Sequence, residues 1–282
     1  MKKVLLPTDF SQNAKNAISY ALKLYKDTPC TFYLLHAYGI PVYSIENWTM
    51  DSHETNPIAH YQKETMDQLN ALKQELEADH ANPKHQFVLQ GAFNQLVDEI
   101  GEVVKKEGIN LIVMGTKGVT GAKELLFGSN TVHAIKKAKC PLIAVPGEFK
   151  YESPKQILFP VDFEVDYDKK IIEELLYLAS ENKGNINILH ISTGNSMTEF
   201  QMKNKKKLEQ LLKPHTYIFH ETPVNGVIEG INDFQKKNKI NLLAMIMNKH
   251  TFLESLFIRP VIRKIGMHLN IPFMVLPHLE GK

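Results

Sequence analysis

The chain has 282 residues, 43% hydrophobic and 23% charged, the balance of an ordinary globular protein and not of a disordered one. Its 33 Lys and Arg against 31 Asp and Glu leave a net charge of +2, too even for a dedicated nucleic-acid binder. Two cysteines, Cys30 and Cys140, exclude a disulfide framework and a thiolate zinc site.

The first apolar run, Val4-Leu5-Leu6, ends at once in Pro7 and Asp9. A signal peptide needs ~7–15 apolar residues and a membrane span ~18. Neither is read here, so the expected compartment is the cytoplasm and no membrane partner is expected. In chain order, residues 3–7, 31–37, 86–90, 110–114 and 142–146 are short runs rich in Val, Leu, Ile and aromatics, and read as strands. Ala14, Ala17, Ile18, Ala21, Leu22 and Tyr25 recur at helical spacing after a plausible N-cap, Ser11. Residues 57–79 predict a longer polar helix. A further stripe at Leu96, Val97, Ile100, Val103 and Val104 is closed by Gly108.

The pattern then starts again. Val4-Leu5-Leu6-Pro7-Thr8-Asp9-Phe10 returns as Ile157-Leu158-Phe159-Pro160-Val161-Asp162-Phe163, and Pro141-Leu142-Ile143-Ala144-Val145-Pro146 as Pro272-Phe273-Met274-Val275-Leu276-Pro277. The chain therefore reads as two tandem copies, 1–147 and 154–282, the first about two dozen residues longer. Strands alternating with helices imply, in each copy, a doubly wound, Rossmann-like α/β domain with a five-stranded parallel sheet covered by helices on both faces. Ligands of such sheets bind beyond the carboxyl ends of the strands, where strand order reverses. The chemistry is expected just after residues 7, 37 and 114.

After the fourth strand stands Gly115-Thr116-Lys117-Gly118, and then Gly128-Ser129-Asn130-Thr131 opening a helix, a spacing of G-x2-G-x9-G-S. Glycines without Cβ let backbone amides approach a sugar or phosphate, and a helix start favours an anion. The spacing is not a P-loop, which reads G-x4-G-K-S/T, nor the G-x-G-x-x-G of dinucleotide folds, which would follow the first strand.

On these residues the chain resembles the universal stress protein family. Pro7-Thr8-Asp9-Phe10-Ser11 is similar to that family's first-strand motif, Leu35-His36-Ala37 to the end of its second strand, and residues 115–129 to its nucleotide motif. The resemblance implies an adenine-nucleotide-binding fold, ATP as ligand with Mg2+ held through the phosphates, and AMP or ADP as alternatives. It implies a base side of Pro7, Thr8, Asp9 and Ala37, and a ribose-phosphate side of Met114, Gly115, Gly118, Gly128, Ser129, Asn130 and Thr131. It also implies pairing of the two domains through their last strands, with a homodimer as a further option. The expected role is that of an ATP-binding stress-response regulator with one site per chain. The alternatives are a slow ATP-hydrolysing enzyme of the same fold, for which Asp9 is the only well-placed acid, and a module binding a protein or a non-nucleotide ligand.

The second copy departs from the motif. No glycine occurs between Ile231 and Ile265, Thr8 becomes Val161, and Gly128-Ser129 becomes Ile258-Arg259. The second copy is therefore expected not to bind ATP in the family manner. Asp162 is expected to cap the following helix. Arg259 and Arg263, the only arginines, fall at the lost phosphate position; they are read as an ion pair or interface contact, or as guanidinium groups filling an anion site. His36 and His190, at equivalent strand ends, are expected to make buried hydrogen bonds. The segment Tyr38–Asn56, with Tyr43, Ile45 and Trp48, reads as a lid or as part of a dimer surface.

Overall fold

The computed structural model describes residues 1–39, 57–116, 127–192, 196–223, 226–247 and 270–278. These divide into two compact units that meet in the sequence at Cys140/Pro141.

The first unit holds β1 (Lys2–Pro7), α1 (Gln12–Leu24), β2 (Cys30–Tyr38), α2 (Pro57–Asp79), β3 (His85–Phe93), α3 (Leu96–Glu107), β4 (Leu111–Gly115) and α4 (Ser129–Lys137). Its strands are parallel, in the order β3-β2-β1-β4. Successive residues of a strand point to opposite faces. Val4 to Pro7 are nevertheless all buried, as are Leu111 to Met114, so both faces of the central strands are covered. The outer strand β3 is less buried, and Val88 and Phe93 are exposed along it.

Local chemistry explains where these elements begin and end. Ser11 caps α1, its side chain accepting from Ala14 N at 3.2 Å, and the apolar stripe Ala14, Ala17, Ile18, Ala21 is buried. Such a cap is worth about 1 kcal/mol. α3 has Asp98 and Glu99 in its first turn and Lys105 and Lys106 in its last, complementing the helix dipole. It stops at Gly108, whose φ of 65° lies in the left-handed region that a Cβ disfavours.

The second unit holds β5 (Leu142–Val145), β6 (Gln156–Val161), α5 (Lys169–Glu181), β7 (Asn185–Ser192), α6 (Glu199–Leu212), β8 (Tyr217–Pro223), α7 (Val227–Lys237), β9 (Leu242–Met247) and β10 (Phe273–Pro277). Five strands run parallel in the order β10-β9-β6-β7-β8. β5 closes this row antiparallel to β10, with Phe273 opposite Ala144 and Val275 opposite Leu142. The sequence motif of β5, Pro141 to Pro146, is the one that recurs at β10, Pro272 to Pro277. The α/β architecture with a mostly parallel sheet is the one the strand–helix alternation implies.

One expectation is corrected. Asp162 does not cap α5; the cap is Asp168, whose side chain accepts from Ile171 N at 2.9 Å. The Asp162 carboxylate instead accepts from Glu164 N at 3.0 Å within its own loop. α5 simply begins later than the repeat suggests.

Candidate functional site

In the first unit the chain runs outward from β1 to β2 and β3, then returns to place β4 on the other side of β1. The ends of β1 and β4 therefore flank the point where strand order reverses, the usual ligand crevice of such sheets.

At the end of β1, Pro7 and Thr8 are buried and Asp9 is exposed. Thr8 N donates to Leu35 O at 2.8 Å, and Thr8 Oγ1 accepts from Phe10 N at 2.9 Å. Asp9 Oδ1 accepts from both Ser11 N and Ser11 Oγ, at 3.1 and 2.5 Å. Phe10 has a φ of 61°, rare for a residue with a bulky side chain and a form of strain concentrated at functional loops. Its ring lies 4.6 Å from that of His36. His36 Nδ1 in turn lies 2.8 Å from Thr8 O and donates its proton there. His36 is thus a strut under the β1 loop, which is the hydrogen-bonding role its position suggests. Ala37, next on β2, is half-buried.

The β4 side is built by two contacts. Thr131 is buried, and its Oγ1 donates to Gly115 O at 2.9 Å. Gly128 N donates to Thr116 O. Together they bring the start of α4 against the end of β4, where Met114 is buried and Gly115 half-buried. Gly128 stands at the N-cap position, and no side chain of the described residues caps this helix. Its first amides, on the exposed Ser129 and Asn130 and on Thr131, have no carbonyl within the helix to receive them. Gly118 lies outside the described residues, as do Lys117, Lys123, residues 40–56 with Tyr43, Ile45 and Trp48, and the Arg259/Arg263 pair.

One residue at this site was not anticipated from the sequence. The side-chain amide of Asn13, on the first turn of α1, is buried, and among the described residues neither Nδ2 nor Oδ1 has a hydrogen-bond partner. It rests against Gly115, where an added Cβ would stand 2.4 Å from Asn13 Nδ2. An unpaired buried amide costs about 1–3 kcal/mol, so natural proteins rarely leave one without reason. Its position two residues beyond Ser11, on the first turn of α1, was the available signal.

The second unit repeats the β1 loop of the first at the end of β6. Phe163 has a φ of 59°, its ring lies 5.0 Å from His190, and His190 Nδ1 lies 3.1 Å from Val161 O. Val161 stands in place of Thr8 and has no hydroxyl to take the next amide. Among the described residues no group of three His, Cys, Asp or Glu is placed to hold a metal. No described helix is long and apolar enough to cross a membrane.

These features define an α/β protein with a mostly parallel sheet, in which Thr8, Gly115 and Thr131 come together at the carboxyl ends of β1 and β4. Residues 1–146 match the family model described as universal stress protein family. The chain belongs to the universal stress protein family. It is similar to universal stress protein MJ0577 of Methanocaldococcus jannaschii, at 29% identity over 157 residues, covering 51% of this chain and 94% of that one. A second protein of the same organism, universal stress protein MJ0531, is 29% identical over 150 residues, 51% of this chain and 81% of that one. The likeness in fold extends over both copies. A universal stress protein from Archaeoglobus fulgidus superimposes with a TM-score of 0.69 at 17% identity, over 98% of each chain.

Proposed function

We propose that the first copy, residues 1–147, is an adenine-nucleotide site, and that the chain is a nucleotide-dependent stress-response regulator holding one ATP. The second copy, residues 154–282, lacks the cradle. The observation that carries this reading is the uncapped start of α4, drawn against the end of β4 by Thr131 Oγ1 and Gly115 O. Free helix amides at a strand-order reversal are suited to phosphate oxygens. A helix dipole alone contributes ~0.3–1 kcal/mol, whereas micromolar affinity needs about 8 kcal/mol. The β1 loop, with Thr8, Asp9 and Ala37, would supply the rest by enclosing base and ribose. The orphaned amide of Asn13 lies between these two sides and offers a donor and an acceptor to a bound polar group. Mg2+ would be held through the phosphates, and ADP or AMP would take the same crevice with fewer contacts. The reading keeps the chain in the cytoplasm, without a nucleic-acid or membrane partner, and allows a homodimer beyond the internal pairing of the copies.

A ligand at a hundred times its Kd stabilises the folded state by about 2.7 kcal/mol, which corresponds to roughly 5–10 °C in melting temperature for a domain of this size. Saturating Mg-ATP is therefore expected to raise the melting temperature by that amount, and Asp9→Ala to reduce the rise at the same concentration. If ATP, ADP and AMP all leave melting unchanged, the nucleotide reading fails and a protein- or ligand-binding module replaces it.

A further inference from the structure

The two copies differ most where the chain leaves the central strand. In the first, Asp9 is followed two positions later by the helix cap Ser11; in the second, Asp162 is followed six positions later by the cap Asp168. Both capped helices have 13 residues, so the second copy carries a four-residue insertion in this loop. The insertion alternates exposed Glu164 and Asp166 with buried Val165 and Tyr167. Val165 and Tyr167 are 1% and 3% exposed. They enter the crevice at the carboxyl ends of β6, β7 and β9, where with Val161, Asp162, Ile191 and Met245 they line a cavity of about 60 Å³.

That volume decides what the crevice can hold. A dry cavity of ~150 Å³ accepts benzene, and a water needs ~10–15 Å³. The space left beside Tyr167 admits a few waters and no aromatic ring, and so no purine. The loop is also fixed from the α6 side. Gln201 Nε2 donates to Asp162 O at 3.1 Å and to Glu164 Oε1 at 2.8 Å. The fully buried Asn204 donates through Nδ2 to Phe163 O at 2.9 Å, and Lys207 pairs with Asp166. Burial, reinforced by the nearby Asp162 carboxylate, pushes the Tyr167 phenol far above its ordinary pKa, so the ring stays neutral in place.

We propose that Val165 and Tyr167 are a built-in occupant of the second copy's crevice: a fixed plug that excludes a nucleotide base, and whose removal opens a site for a planar aromatic ring. The loss of the glycine loop removes the phosphate cradle, and the plug separately removes the base pocket. The comparison of copies rests on the reading of the first as a nucleotide site. The plug itself is tested with ring compounds that need no phosphate cradle, so the two readings fail separately.

The test uses the full chain with methyl-labelled methionine, since Met245 lines the cavity. Indole and adenine at millimolar concentration are expected to shift the Met245 methyl signal saturably in Tyr167→Ala, and to leave it unmoved in the wild type. Tyr167→Leu, which keeps more of the packing, is expected to respond in the same direction if the alanine variant is poorly folded. In the wild type, Tyr167 is expected to resist nitration by tetranitromethane with and without ATP, as a fixed plug must. A Met245 response to adenine in the wild type, a folded Tyr167 variant that binds neither compound, or nitration of Tyr167 at the rate of an exposed tyrosine would each overturn the proposal. If ATP fails to bind but indole enters Tyr167→Ala, the first-copy reading falls and the plug stands.

Discussion

Gly115→Val is expected to weaken ATP binding at least a hundredfold while the chain remains folded. A Cβ at this position would lie 2.4 Å from Asn13 Nδ2 and 2.8 Å from Asn13 Cγ, closer than side-chain atoms ever rest. Asn13 is half-buried on the first turn of α1 with its amide atoms buried, so its side chain must give up the place it holds against the end of β4. The same clash also pulls on Gly115 O, the acceptor of Thr131 Oγ1, and so on the start of α4. Both proposed sides of the site shift at once. A hundredfold loss is about 2.7 kcal/mol, the worth of two or three ordinary hydrogen bonds at about 1 kcal/mol each. Overpacking of this kind costs ~1–3 kcal/mol of stability, which circular dichroism and urea unfolding would measure alongside the ATP titration. Unchanged affinity in the folded variant would show that the close approach at Gly115 serves packing alone.

Phe32→Ala is expected to lower the stability of the first unit by about 3–5 kcal/mol, the range for truncating a buried aromatic side chain. Phe32 is fully buried on β2. Its ring lies 4.9 Å from His85, 5.8 Å from Phe87 and 6.5 Å from Tyr25. Neighbours that are themselves aromatic, on the paired strand β3 and the end of α1, cannot close over the gap without losing their own contacts. The melting temperature is expected to fall by roughly 10 °C or more. A shift within a degree or two of the wild type would mean that the β2–β3 face is not part of the cooperative core.

What the sequence makes legible follows from how strongly physics constrains each pattern. Val4-Leu5-Leu6 and Leu111 to Met114 read as strands because central strands of a parallel sheet must be apolar on both faces. The helices at 12–24, 57–79 and 96–107 declare themselves by period and by Ser11 and Gly108 at their ends. The duplication was visible because the strand motifs recur. Asp168 and the plug residues Val165 and Tyr167 were not read, because five alternating acidic and apolar residues carry the two-residue period of a short strand and mark neither a helix start nor a buried loop. A finer count would have exposed them: Ala14 and Ile171 occupy the same place in their helices but stand farther apart than Asp9 and Asp162 do. The Asn13–Gly115 contact joins two elements about a hundred residues apart, which only the folded sheet brings together.

The division of labour between the copies is tested most directly by calorimetric titration of the full chain with ATP. One equivalent per chain is expected, with binding abolished by Gly118→Val combined with Gly128→Val. Two equivalent sites, or a single site that survives the paired substitution, would contradict it.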